Sequence, residues 1–328
     1  NLTENSKQDS RIKIFNDSPS KILKRPLLRN QILKKIKAFD ANIVFTVFGP
    51  SYIKFKITHL SGFADGWVTH PNKLALGTLN RFERLKYKFV NLYKIKYLYK
   101  SDFYWVEAPL VKKGLIQKVK IDSKNIRIIP NSYSHLYIGK RKIKKNTNIV
   151  ITTISSPYPH KNLSIIPKVA KLVNNYFKGK KIRFIVTLPN YGKEVDKFWD
   201  IAKKYDSKKY ITNVGLVTTE QCIRLYNLTD LIFLPTLLES YSASYPEAMY
   251  MKKPIVTTDL SFARDICGNS AIYYRPLSAS DAMKKILSIL KDKELYNKLV
   301  SNGTKRLKSF IRPNEKYELI FNYIKDLT

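Results

Sequence analysis

The stretch from Asp230 to Asp259, DLIFLPTLLESYSASYPEAMYMKKPIVTTD, decides the fold. Residues 231–234 are an apolar run bounded sharply by Asp230 and Pro235, too short for a helix, and read as a buried strand. A loop rich in Ser and Tyr follows. Ser244, Pro246 and Glu247 then predict a helix start: a hydroxyl at the cap, Pro in the first turn, and a carboxylate three residues after the cap. Lys252, Lys253 and Pro254 end that helix, and residues 255–258 form a second, β-branched strand. Strand, loop, helix and strand make a ligand-binding βαβ unit. Two carboxylates frame its loop, Glu239 and Glu247, with seven residues between them. Backbone N–H groups around Ser242, Ala243, Ser244 and Tyr245 point into the same crevice, where a helix start attracts phosphate. A carboxylate accepts two hydrogen bonds from a vicinal diol, so two acids beside a phosphate site suit a nucleotide sugar. The plain alternative is that Ser244 and Glu247 only cap the helix and Glu239 is an ordinary loop acid.

The Glu-x7-Glu spacing resembles the donor-site signature of glycosyltransferase family 4, retaining enzymes of the GT-B fold. Pro235 before it, Glu247-Ala248-Met249 within it and Lys253-Pro254-Ile255-Val256 after it carry the likeness. The resemblance implies that Glu239 contacts the transferred sugar, that Glu247 contacts the nucleotide ribose, and that the loop Ser240, Tyr241, Ser242, Ala243 and Ser244 borders the donor. It also implies an α/β fold of two Rossmann-like domains with parallel sheets facing across a cleft.

Outward from this stretch the second domain is expected over residues 147–312. Its first strand, 148–154, runs into Pro159-His160-Lys161-Asn162-Leu163, which resembles the family's loop that delivers a Lys to the donor phosphates. Lys161 is the candidate for that role, with His160 as a helper, because a cation there stabilises a departing diphosphate. The family's Arg a few residues earlier is replaced by Ser155 or Ser156. Asn213-Val214-Gly215-Leu216-Val217 resembles the turn whose backbone receives the nucleobase. A closing segment, 313–328, is amphipathic and is expected to cross back onto the first domain.

The first domain is expected over residues 1–146. Its first plausible strand is 11–15, without the family's opening strand and Gly-rich turn, so this domain is expected to be incomplete. A basic helix over 26–39, a strand over 42–48 and a strand over 56–59 ending near Gly62 follow. His59, in Ile57-Thr58-His59, resembles a position at which family members carry a His lining the acceptor side of the cleft, with Asp65 close behind. Residues 81–100 show the strongest helical pattern. Phe82, Leu85, Phe89, Leu92 and Tyr93 recur at spacings of three and four among Arg84, Lys86, Lys88, Lys94 and Lys100. The pattern predicts an amphipathic helix for an anionic membrane surface, a helix whose apolar stripe meets the sheet, or both at once on different faces. Strands over 102–107 and 126–129 close the domain, and Gly139 to Asn146, GKRKIKKN, reads as the linker.

The 328 residues leave room for two cores, and 44% hydrophobic content fits a globular protein. No stretch approaches the roughly 18 apolar residues of a membrane span, and the opening NLTENSKQDS has no apolar signal-peptide core. Cys222 and Cys267 lack metal-ligand spacing and are expected reduced in the cytoplasm, and no metal or other cofactor is expected. Sixty Lys and Arg against 25 acids give a formal charge of +35, about +22 of it before Asn148. Such a surface calls for a polyanionic partner, anionic lipid headgroups or nucleic acid. A compositional bias toward Lys, Ile, Asn and Tyr is the alternative. These readings converge on a retaining hexosyltransferase. It would use a UDP- or GDP-linked sugar and a lipid-linked glycan acceptor for surface polysaccharide or lipopolysaccharide, at the inner face of the membrane. An epimerase or a catalytically impaired donor-binding chain on the same fold, or a basic nucleic-acid-binding protein, are the competing readings.

Overall fold

The computed structural model describes residues 25–141, 148–177 and 181–328. The expected strand over 11–15 and linker residues 142–146 lie outside the described residues. Two parallel sheets organise the chain. The first has the order β1-β2-β3-β4, formed by Ile43–Thr46, Thr58–Phe63, Phe103–Val106 and Ile126–Ile128. The second has the order β10-β9-β8-β5-β6-β7. Its strands are β5 (Ile149–Thr153), β6 (Ile182–Val186), β7 (Ile211–Asn213), β8 (Leu231–Leu234), β9 (Ile255–Thr258) and β10 (Ala271–Tyr274). Counted from β5, this is the doubly wound 3-2-1-4-5-6 order, and every pair is parallel. The helices needed below are α1 (Pro26–Ala38), α2 (Arg81–Leu98), α3 (Thr219–Leu228), α4 (Ser244–Tyr250), α5 (Lys293–Leu307) and α6 (Glu315–Lys325).

Strand β8 shows why the quoted stretch reads so plainly. Leu231 and Phe233 pack into one core layer with Val256 and Ile286, while Ile232 and Leu234 pack into the other with Ala248 and Ile255. A strand covered by helices on both faces has no polar side to alternate with, hence the continuous apolar run. The order also creates a switch point between β5 and β8, whose following loops diverge and leave a crevice at their carboxyl ends.

In the first sheet, β2 covers Thr58–Phe63 rather than 56–59. Gly62 does not end the strand. A Cβ there would stand 1.9 Å from the Val47 carbonyl oxygen and 2.7 Å from the Trp105 ring, so Gly admits the backbone into a tight packing contact. Helix α2 opens with a capping box, Asn80 bonding the Glu83 N–H while the Glu83 carboxylate accepts from the Asn80 N–H. Its expected apolar stripe does not meet the sheet: Phe82 is 76% and Phe89 63% exposed, with Leu85 and Leu92 also exposed. The helix is held instead by its opposite side, where Tyr87 packs on Trp67, Asn91 donates to the Trp67 carbonyl and Lys94 pairs with Asp65 at 2.6 Å.

Helix α6 lies against the first sheet, with Tyr323 packed among Leu60, Trp105 and Ile129. Two ion pairs fasten it: Lys316 to the buried Glu107 at 2.6 Å and Asp326 to Arg127 at 2.8 Å. Among the described residues no helix is long and apolar enough to cross a membrane.

Candidate functional site

The loops after β5 and β8 meet at the switch point. From the first comes Lys161, at the end of the turn Pro159–Lys161; from the second comes Glu239. Their side chains pair at 2.5 Å and are largely buried, 19% and 10% exposed. They border a cavity of about 130 Å³ lined also by Ser155, Ser156, Tyr158, Ser242 and Ser244. Larger hollows exist, such as one of about 280 Å³ between Tyr241 and Arg306. The smaller cavity is the one where hydroxyls and a charged pair converge at the carboxyl ends of the strands, which is the chemistry a diphosphate sugar requires.

His160 is neutral at physiological pH: burial, and then the Lys161 charge, push it down to about 4. Its ring stacks on Tyr158 and meets Trp67 edge-on, and its buried Nδ1 has no partner among the described residues.

Helix α4 departs from the expected capping arrangement. Ala243 occupies the cap position, Ser244 is the first helical residue, and no side chain caps the start. Glu247 therefore has no capping role. Its carboxylate turns inward and accepts a hydrogen bond from the Tyr226 hydroxyl at 3.1 Å, and it does not line the cavity. Ser240 and Tyr241 face the first domain, donating to the carbonyls of Ala64 at 3.2 Å and Asn131 at 3.0 Å. Gly215 takes a left-handed φ of +78° after β7, and Leu216 is 71% exposed. That turn lies two strands from β5 and does not line the cavity.

His59 is not brought to this cluster. It is fully buried near the start of β2, its Nε2 at 2.9 Å from Thr46 Oγ1, while the chain reaches the cleft only after the far end of that strand. The histidine that the first domain brings to the cleft is His70. Its Nε2 donates to the Glu239 carbonyl at 2.7 Å, and Asn72 donates to the Leu237 carbonyl at 2.7 Å. Because a carbonyl only accepts, the ring proton sits on Nε2, and Nδ1 lies 2.7 Å from Thr69 Oγ1. Burial pushes His70 below the usual histidine range. Thr-His occurs twice in the chain, at 58–59 and 69–70, and the second pair is marked by the Pro71 that ends the preceding short helix. Asp65 caps that helix through the Trp67 N–H and pairs with Lys94. Tyr226, and Tyr137 beside it, are further residues that pattern reading does not reach.

Among the described residues no group of three or more His, Cys, Asp or Glu stands together as metal ligands, and Cys222 and Cys267 are free thiols. The sequence profile of the family described as Glycosyl transferases group 1 matches residues 138–306, from the end of the first domain through α5. The chain belongs to that family. No curated protein sequence matches it. Among solved structures, a glycosyltransferase from Rickettsia africae superposes with TM-score 0.70 at 17% identity, covering 96% of this chain and 84% of that one. Anabaena Alr3699/HepE in complex with UDP-glucose gives TM-score 0.75 at 13% identity over 96% and 86%. A sucrose-phosphate synthase from Thermosynechococcus elongatus gives 0.71 at 14% over 92% and 79%. At these identities the likeness is one of fold. This group 1 glycosyl transferase has the GT-B architecture, two parallel-sheet domains facing across a cleft.

Proposed function

We propose that this glycosyl transferase is a retaining, family 4 enzyme that moves a hexose from a nucleoside diphosphate sugar to a lipid-linked glycan of surface polysaccharide or lipopolysaccharide. The observation that carries this reading is the Lys161–Glu239 pair at the switch point, at the rim of a cavity lined with hydroxyls. Lys161 Nζ compensates the charge that develops on the departing diphosphate. Glu239 accepts from sugar hydroxyls, and its carboxylate steadies positive charge at the anomeric carbon. As the bond from that carbon to the phosphate oxygen breaks, the acceptor oxygen bonds to the same face and its proton passes to the leaving phosphate. Glu247 accepts from the ribose hydroxyls, and the backbone of Gly215 to Val217 receives the base. UDP-glucose is the first donor to try, since the fold relative from Anabaena was solved with it.

The test is a thermal shift with UDP-glucose and GDP-mannose on the wild type and on Lys161→Met. Ligand at a hundred times its dissociation constant adds about 2.7 kcal/mol to stability, a shift of several degrees. Protection of the wild type alone supports the assignment; protection of neither protein defeats it. Retention is read from the anomeric configuration of the product by NMR.

The exposed stripe on α2 supports a place on an anionic membrane, at the inner face. Phe82, Leu85, Phe89 and Leu92 line one side of the helix among basic neighbours, the pattern of a helix lying in a headgroup layer.

A further inference from the structure

A half-buried acid with no cation beside it among the described residues is out of place in a chain of charge +35, and Glu247 is one. Among the described residues the titratable groups facing it are three. Tyr226 and Cys222 come from α3, and Tyr137 from the turn His135–Tyr137. Both tyrosines are fully buried, and their rings meet edge to face at 5.8 Å. The Tyr226 hydroxyl donates to Glu247 Oε2 at 3.1 Å, and the Tyr137 hydroxyl stands close enough to favour the charged carboxylate. Two packed phenols thus aim their protons at one carboxylate from different elements.

We propose that Tyr226 and Tyr137 are positioning residues, holding the Glu247 carboxylate for the two hydroxyls of the donor ribose, so that acidification weakens nucleotide-sugar binding. The inference rests on the reading of Glu247 as the ribose acid. An ionised carboxylate accepts from both tyrosines and from a diol; a protonated one loses acceptor capacity and becomes a donor itself. Burial, opposed only by the two phenols, pushes Glu247 up to about 7. The neighbours do not titrate with it. Cys222 is pushed up to about 11, Tyr137 and Tyr226 lie far above the usual phenol range, and His160 in the crevice is down at about 4.

Calorimetric titration of UDP-glucose and GDP-mannose between pH 5.5 and 8.5 tests this, since their diphosphate diesters keep their charge over that range. The wild type should lose roughly tenfold in affinity for each pH unit below 7. Glu247→Gln should bind weakly at every pH and show no such slope. Tyr226→Phe should move the midpoint to higher pH, because the charged form loses a donor. Tyr137→Phe should do the same and serves if the first variant folds poorly. Flat wild-type affinity from pH 6 to 8 overturns the proposal. So do Phe variants that bind more weakly at all pH values with an unmoved midpoint, the signature of a purely structural role. If neither nucleotide sugar binds the wild type at any pH, the donor reading itself falls, and this inference with it.

Discussion

Lys161 and Glu239 neutralise one another at 2.5 Å, so the diphosphate of the proposed donor would meet a lysine already engaged. Replacing Lys161 with Met leaves Glu239 charged and largely buried without its partner, a change that costs about 3 kcal/mol or more in such settings. The expected outcome is a lower melting temperature together with a turnover reduced a hundredfold or more, measured by release of nucleoside diphosphate. Glu247 acts in the opposite direction on stability. Its folded pKa of about 7 lies above the ordinary carboxylate value of 4.5, so between those values the folded chain holds a proton that the unfolded chain has released. Stability therefore falls as pH rises through this window, and the full cost, on the order of 2–3 kcal/mol, is present above pH 7. Glu247→Gln should raise the melting temperature at pH 8 by several degrees and change it little at pH 4.5, as calorimetry at the two pH values will show. The meeting of Lys161 and Glu239 was legible because both stand in short spacings after apolar strands. His70 was not, since two Thr-His pairs compete and only the length of β2 decides which reaches the cleft. Nor was the Tyr137–Glu247 contact, which joins residues 110 positions apart.

At the level of elements, β8 and β9 fall where the apolar runs place them, because strands buried on both faces leave an unambiguous signature. The edges of β2 were illegible for a packing reason. Gly62 reads as a breaker in sequence, yet it lies in the strand to let the Val47 carbonyl and the Trp105 ring approach. The start of α4 was misplaced by one residue, because Ser, Pro and Glu in series imitate a capped helix while the carboxylate answers to Tyr226. Helix α2 was legible as a helix, but its apolar periodicity left open what the stripe would touch, and the structure leaves it facing outward. Phe82→Ser with Phe89→Ser should abolish most binding to phosphatidylglycerol vesicles in a sedimentation assay. Stability should change by no more than about 0.5 kcal/mol, as for surface positions generally. A large drop in melting temperature would instead mean that the stripe is covered in solution.

Over the whole molecule, the two domains are joined by more than the chain. Helix α6 returns to the first sheet with a buried Glu107–Lys316 pair, and the loop after β2 grips the loop after β8. Removing that grip with His70→Ala and Asn72→Ala should loosen the cleft: small-angle scattering should report a larger radius of gyration. Donor affinity should remain close to wild type, because the proposed nucleotide contacts belong to the second domain. Four contacts across the cleft, from His70, Asn72, Ser240 and Tyr241, all end on main-chain carbonyls, those of Glu239, Leu237, Ala64 and Asn131. A carbonyl is supplied by every residue type. The receiving side of each clasp is thus indifferent to side-chain exchange: Leu237, Glu239, Ala64 and Asn131 can each be replaced with the seat between the domains retained, whereas His70, Asn72, Ser240 and Tyr241, which give the protons, cannot.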